Sequence, residues 1–423
     1  MIVCVAGASG FLGARIAARL AAEGHSVVCA ARSPPNTRYC ARSMALDFTK
    51  PDPARWTREL DGVDVLVNAI GILREKRAQT FEALHVRGPW ALFDAAVAAS
   101  VTRIIQISAL GAAADATADY HRTKHAADFY LATRPVDWMV VRPSLVYGAG
   151  GTSAAMFETL ASLPVIPLPG GGDQRVQPVH VQDLVDAVAA LTIKPLPPDR
   201  VLPVVGPREL TLREFLLALR SGLGLPRART LTIPAWMVRT AASAGERLPG
   251  MLLDRETLGM LERGNTGSPE GLTTVLGHPP RDVEEFVSPA EQSARRVQAA
   301  LRWIEPLLRF GIAIMWLTAG IVSLGLYPVE ASERLLVQIG VPESLAPLTL
   351  RGAAILDIVL GLLTLWPRAP RWLWSVQIAL VLAYTAIITW KLPALWLEPF
   401  GPVVKNLPIL ALLVLMRELR IRR

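Results

Sequence analysis

Ile2-Val3-Cys4-Val5-Ala6-Gly7-Ala8-Ser9-Gly10-Phe11-Leu12-Gly13 is the stretch that decides the fold. Five apolar residues make a strand, three glycines follow, and an amphipathic pattern from Phe11 to Glu23 predicts a helix with Leu12, Ile16 and Leu20 on one face. Strand, glycine turn and helix in that order form the setting of a dinucleotide-binding turn. Gly7 lets the chain leave the strand tightly. Gly10 removes a Cβ where backbone approaches a pyrophosphate. Gly13 lets the helix pack close on the strand. The helix N-terminus then presents unpaired N–H groups and a partial positive charge to phosphate. An ordinary βα turn is the competing reading of the three glycines taken alone.

Working outward, strands are expected at Ser26–Ala31, Met44–Phe48, Val63–Ala69, Arg103–Ser108 and Asp137–Arg142, with helices over 78–100 and Asp119–Thr133. Continuous apolar strands alternating with helices imply a doubly wound parallel sheet, an α/β Rossmann domain. After Gly148 the pattern loosens around the loop Pro169-Gly170-Gly171-Gly172. This part is expected to form a small substrate lobe, with a strand over Val176–Val181 and a helix over Leu184–Leu191. The end of the second strand reads Ala30-Ala31-Arg32-Ser33, without the acid that would hold a ribose 2′-hydroxyl. Arg32, with Arg38, is therefore a candidate partner for a 2′-phosphate, which favours NADP over NAD; the alternative is a solvated surface arginine.

Composition sets the outer limits. The chain has 423 residues, 52% of them hydrophobic, and a mean hydropathy of +0.35, too high for a wholly soluble protein. The net charge of +8 is not gathered into basic tracts with interleaved aromatics, so nucleic acid is not an expected partner. Three cysteines, Cys4, Cys29 and Cys40, without framework spacing, argue against disulfides. No CxxC or His pair suggests a metal. The N-terminus lacks the basic region of a signal peptide.

Residues 288–302 carry Val297 and Leu301 at helical spacing, continued by Ile304 and Leu308, with Arg295, Arg296 and Arg302 opposite. That pattern suits a helix at a membrane surface or a linker helix packed on protein. Four apolar segments follow, at 307–327, 348–366, 372–390 and 403–416. The first three approach the roughly 20 residues that span a bilayer; the fourth is short. Basic residues flank the first segment (Arg295, Arg296, Arg302), the second loop (Arg368, Arg371) and the end (Arg417, Arg420, Arg422, Arg423), while the other loops hold Glu330, Glu333, Glu343 and Glu398. Four spans with both termini cytoplasmic satisfy the positive-inside rule, in a cytoplasmic (inner) membrane. Asp357 and Lys405 both fall inside apolar segments and are expected to approach each other, with Asn406 beside them.

Tyr120-His121-Arg122-Thr123-Lys124 places a phenol and an ammonium one helical turn apart, and Ser108 ends the preceding strand. A carbonyl that accepts a hydride develops negative charge on oxygen and needs a proton. A nearby ammonium favours the phenolate and so tunes the tyrosine for that task. With Gly7–Gly13, Asn68–Gly71, Arg142-Pro143-Ser144, Val146-Tyr147-Gly148 and His180-Val181-Gln182-Asp183, these residues make the chain resemble an extended or atypical short-chain dehydrogenase/reductase over roughly residues 1–290. Ile107–Ala112 and Pro178–Val181 are most similar to the nucleotide-binding accessory subunit of respiratory complex I. Residues 306–423 resemble a DoxX-like membrane domain, with 291–305 as an amphipathic linker.

The resemblance implies Ser108, Tyr120 and Lys124 as catalytic residues. It implies a cofactor site of Gly7, Ser9, Gly10, Phe11, Leu12, Gly13, Arg32, Asp47, Phe48, Asn68, Ala69, Gly71, Lys124 and Pro143, with Asp47 at the adenine and Lys124 reaching the nicotinamide ribose. It also implies two functions. One is an NADP-dependent, epimerase-like oxidoreductase acting on a small, lipid-soluble carbonyl or quinone. The other is a non-catalytic NAD(P)H-binding protein that assists a membrane or respiratory complex. His180 is read as a structural hydrogen-bond partner, and Arg175 as either a substrate-anion contact or a surface charge.

Overall fold

In the computed structural model the apolar runs pair side by side as parallel strands. The structure describes residues 1–234, 236–238, 240, 259, 264–398 and 401–419; Arg420, Arg422 and Arg423 lie outside them. The chain divides into two units, Met1–Ala299 and Ala300–Arg423.

The first unit is built on a seven-stranded sheet: β1 (Ile2–Ala6), β2 (Ser26–Ala31), β3 (Arg42–Ala45), β4 (Val65–Asn68), β5 (Arg103–Ile107), β6 (Asp137–Pro143) and β7 (Val201–Val204). Their spatial order is β7-β6-β5-β4-β1-β2-β3, and every pairing is parallel. Strand alternation divides the core. Val3, Val5, Val65, Val67, Ile105 and Met139 meet α1 (Phe11–Ala22) and a later helix, Val181–Ile193, on one face. Cys4, Ala6, Val28, Leu66, Ile104 and Val140 meet α2 (Pro53–Glu59), α3 (Gly88–Ala98) and α4 (Asp119–Ala132) on the other. Each fully buried Val, Leu, Ile or Met among them contributes about 1.5–3 kcal/mol over an exposed one. The chain reverses its direction of travel across the sheet between β1 and β4, and a ligand crevice opens at the strand ends of such a switch point.

A smaller lobe packs Phe157, Ile166, Phe215, Leu219 and Phe286 around Tyr147. Inside it the Tyr147 hydroxyl donates to Glu158 Oε1 at 2.9 Å, and Arg295 Nη1 donates to the same oxygen at 2.6 Å. Glu158 and Arg295 are both buried.

The second unit is helical. Three helical stretches, Pro289–Leu326, Glu343–Leu365 and Arg371–Lys391, are long and apolar enough to cross a membrane. Asn406–Leu419 has 14 residues, about 21 Å at the helical rise, short of a hydrocarbon core of roughly 30 Å. The buried polar groups here are mostly paired. Glu305 and Arg309 form an ion pair at 2.9 Å, and Arg309 Nη1 donates to the Trp366 carbonyl. Gln377 accepts from Trp316 and donates to Thr364.

Several expectations need correction. Cys29 and Cys40 form a disulfide, although the count and spacing argued against one: Cys40 lies on the loop leaving β2, which brings the two Cα atoms to 5.6 Å. β3 starts and ends before the predicted Met44–Phe48, so Phe48 turns into the core against Trp56. The predicted helix over 78–100 begins as a π-helical stretch, Glu82–Arg87. Arg295 does not face a membrane surface. It is drawn inward by Glu158, while Val297, placed on the opposite stripe, is exposed. Asp357 does not meet Lys405: among the described residues its Oδ1 has no hydrogen-bond partner, Lys405 is exposed, and Asn406 donates to Thr385 instead.

Candidate nucleotide and substrate site

The ends of β1, β4 and β5 carry the site. Gly7 sits at φ +88°, and its N–H and that of Ala8 both donate to the Ala30 carbonyl, which ties the turn to β2. A Cβ on Gly13 would lie 2.1 Å from the Gly7 carbonyl oxygen, so only glycine lets α1 start this close to the turn. Gly10 is the N-cap and brings no side-chain acceptor. The first-turn N–H groups, from Phe11 and Leu12 onward, thus keep capacity for an anion, and Ser9 and Gly10 are exposed beside them. This cradle fits a dinucleotide pyrophosphate.

Around it, Asn68 is fully buried, donates to Gln106 at 2.7 Å and accepts from the Ile70 N–H, which fixes the Ala69–Gly71 exit from β4. Arg32 and Arg38 are exposed on the loop after β2, and the Arg32 guanidinium lies against the end of the Gln79 amide side chain. Asp47 accepts from the Thr49 N–H and hydroxyl and caps its own turn. Phe48 belongs to the core. The Pro143 carbonyl accepts from the Leu110 N–H, holding the segment after Ser108 on β6.

Lys124 projects from α4 into the strand ends. Its Nζ donates to the Ile107 carbonyl at 3.0 Å and the Ile70 carbonyl at 3.3 Å. Burial pulls its pKa down from 10.5 to about 8, against the nearby Asp128 charge, which favours the ammonium. A Cβ on Gly71 would reach Lys124 Nζ at 3.0 Å. Tyr120, one turn earlier, is half-buried with its ring against Phe81, His85 and His121. Ser108 points elsewhere: its hydroxyl donates to Asp128 Oδ2 at 2.7 Å, an oxygen that also accepts from Arg142 at 3.0 Å. Burial raises the Asp128 carboxyl above the usual carboxylate range, with Ser108 and Arg142 opposing.

Sequence reasoning missed four residues here. Asp128 follows Lys124 by one turn on the face of Tyr120, a spacing that could have flagged it. His85 accepts from the Ile72 N–H at 3.1 Å and lies 3.1 Å from the Thr123 hydroxyl, bracing α4 on the β4 exit. Burial, then the Lys124 charge, keeps His85 neutral. Arg15 reaches across to the Ala149 carbonyl, and Arg142 holds Asp128. Nothing local in the sequence marks these three. His180 caps the helix Val181–Ile193 through the Gln182 N–H, a structural role, and Arg175 is exposed.

Comparison with known proteins finds similarity in both units. Residues 3–199 match the NAD dependent epimerase/dehydratase family, and residues 313–414 the DoxX-like family. A ceramide reductase of Caulobacter vibrioides is 27% identical over 46% of this chain and 62% of its own length. Subunit 9 of the NADH dehydrogenase [ubiquinone] 1 alpha subcomplex of Rattus norvegicus is 27% identical over 50% of this chain and 58% of its own. The chain thus spans about six tenths of these relatives. Among solved structures, a nucleoside-diphosphate-sugar epimerase from Staphylococcus aureus superposes with a TM-score of 0.55 at 18% identity, covering 68% of this chain and 99% of that one. An NADPH-dependent quinone oxidoreductase from Escherichia coli, complexed with NADPH, gives 0.54 at 19%, covering 68% and 98%. At these identities the structures establish the fold.

Proposed function

The chain joins an epimerase-type NAD(P)-binding domain, similar to subunit 9 of complex I, to a DoxX-like helical domain, and from that premise we propose a membrane-anchored, NADP-dependent oxidoreductase acting on a lipid-soluble carbonyl or quinone. The observation that carries this reading is Tyr120 and Lys124 on one turn of α4 beside the glycine cradle. The bound nicotinamide supplies or accepts the hydride. Tyr120 gives its phenolic proton to the carbonyl oxygen, and the Lys124 ammonium stabilises the phenolate left behind. Asn68, Ala69 and Gly71 shape the floor, and His85 positions α4.

A second reading has one observation in its favour. The Ser108 proton is engaged by Asp128, so Ser108 as placed does not donate to a substrate oxygen. That suits a protein that binds NAD(P)H without turnover and serves a membrane assembly. The two are separated by identifying the nucleotide carried by the purified full chain by mass, then screening it for turnover on lipid-soluble carbonyls and quinones.

Cofactor preference gives a sharper check. NADPH is expected to bind more tightly than NADH, and Arg32→Ala to weaken NADPH roughly tenfold while sparing NADH, the worth of one charge-assisted contact. Titration by fluorescence measures both; equal affinities in the parent defeat the NADP assignment.

Lys124 predicts two opposite pH effects. Turnover falls as pH rises through about 8, where the ammonium is lost. Folding stability moves the other way. The unfolded lysine keeps its proton to about 10.4. Between about 8 and 10.5 the unfolded state binds more protons, and the contribution of this group to stability grows with pH. A kcat profile alongside denaturant melts reads both signs.

The basic flanks Arg368 and Arg371 support a cytoplasmic position for the short loop between the second and third spans, and with it for the nucleotide-binding domain. Reporter fusions at both termini are expected to read cytoplasmic only where Asn406–Leu419, short by itself, crosses together with the residues before it. A C-terminus on the far side means that Asn406–Leu419 does not span.

A further inference from the structure

We propose that the membrane unit contains a binding site for a neutral, lipid-soluble alcohol, centred on Asp357 and Tyr384. Asp357 lies well inside the second span, Ala346–Leu365, on its buried face with Leu350, Ala354, Leu360, Gly361 and Thr364. It is 8% exposed, and its Oδ1 has no hydrogen-bond partner among the described residues. The polar groups two turns away behave differently. Thr364, Gln377 and Trp316 satisfy one another completely enough that Thr364 and Gln377 have no exposed surface. A polar group in a bilayer core without a partner costs several kcal/mol and marks function by default.

The geometry says what completes the site. Thr364 faces Gln377 across the hairpin of the second and third spans. Two turns back along one helix and two turns on along the other, this pairing brings Asp357 level with Tyr384. At the same end the first span closes in a kink at Gly325 (φ +146°) within Val322–Leu326, a stretch that packs against the second span. A carboxyl oxygen without a donor and a phenol hydroxyl across from it match one hydroxyl group, which donates to Asp357 and accepts from Tyr384. A carbonyl or an ether has no proton for Asp357. Ile355, Leu356 and Val359 are exposed beside Asp357, so the approach is through lipid and the rest of the ligand is apolar. An alcohol is also the reduced form of the carbonyl class proposed for the first unit, but the site rests on no part of that reading.

The test uses the full chain in nanodiscs with a diazirine-bearing farnesol analogue and its methyl ether, labelled peptides being mapped by mass. Labelling by the alcohol is expected on the second and third spans and to exceed the ether about fivefold, one hydrogen bond's worth. Asp357→Leu lowers it by a similar factor, and Asp357→Asn, whose amide oxygen still accepts, keeps most of it. Tyr384→Phe, which removes only the hydroxyl, lowers it as well and serves if Asp357→Leu does not fold. Equal labelling by alcohol and ether overturns the proposal. So does undiminished labelling in a folded Asp357→Leu or in Tyr384→Phe. These readouts need no nucleotide turnover, so they fail or succeed separately from the oxidoreductase reading.

Discussion

Tyr120→Phe lowers turnover by about 10²–10⁴-fold, the usual worth of a positioned general acid, while NADPH affinity stays close to that of the parent. The substitution removes one oxygen and keeps the ring that packs on Phe81, His85 and His121. α4 therefore keeps its seat, and Lys124 keeps its two carbonyl contacts. The measurement is kcat and nucleotide Kd on the same preparations. Retained turnover removes Tyr120 from the chemistry. A parent with tight NADPH binding and no turnover on any carbonyl or quinone supports the cofactor-binding reading instead.

The largest stability effect is expected at Glu158. Its Oε1 receives both the Tyr147 hydroxyl and the Arg295 guanidinium in a buried site, with the Phe286 ring stacked on Tyr147 at 4.9 Å. Glu158→Ala leaves the buried guanidinium with only the more exposed Glu291 carboxylate at 3.6 Å as counter-charge, at a cost of about 3 kcal/mol. In a domain of this size that lowers Tm by roughly 10 °C. The pair itself is a weak source of net stability, because both ions lose their water. Glu158→Leu with Arg295→Met is therefore expected to recover most of the loss. Thermal melts of the three proteins decide it: a double variant no more stable than Glu158→Ala shows that the lobe needs the ions themselves.

The parts of the fold that the sequence displays are those where one local rule acts alone. β1, β2, α1 and α4 are continuous runs with clear periodicity bounded by glycine or proline, and they form nearly as read. β3 was misplaced because Phe48 looks like strand and is claimed by the core pocket beside Trp56 and Gly88. Around the candidate site, the glycines, Tyr120 and Lys124 are visible because their spacing within one element carries the meaning. His85, Arg142 and the Ser108–Asp128 contact are not, since each joins different elements, 14 to 38 residues apart, that only the fold brings together. The same limit explains Asp357. Hydropathy locates a carboxyl in a span, but only the packing of helices shows that Lys405 is exposed and that Tyr384 shares the level of Asp357.

The Cys29–Cys40 bond gives the nucleotide preference an oxidation state. It staples the buried end of β2 to the far side of the loop that carries Arg32 and Arg38. Cytosolic thiol pools keep most protein cysteines reduced. If the nucleotide-binding unit faces the cytosol, as proposed above, the staple is expected to be open at rest and to close on purification in air. Cys29 has no exposed surface, so opening is gated by local unfolding of this edge rather than by simple collision with a reductant. NADPH and NADH affinities measured on oxidised and on dithiol-treated protein are then expected to differ, because Arg32 and Arg38 sit on a stapled loop in one and an open loop in the other.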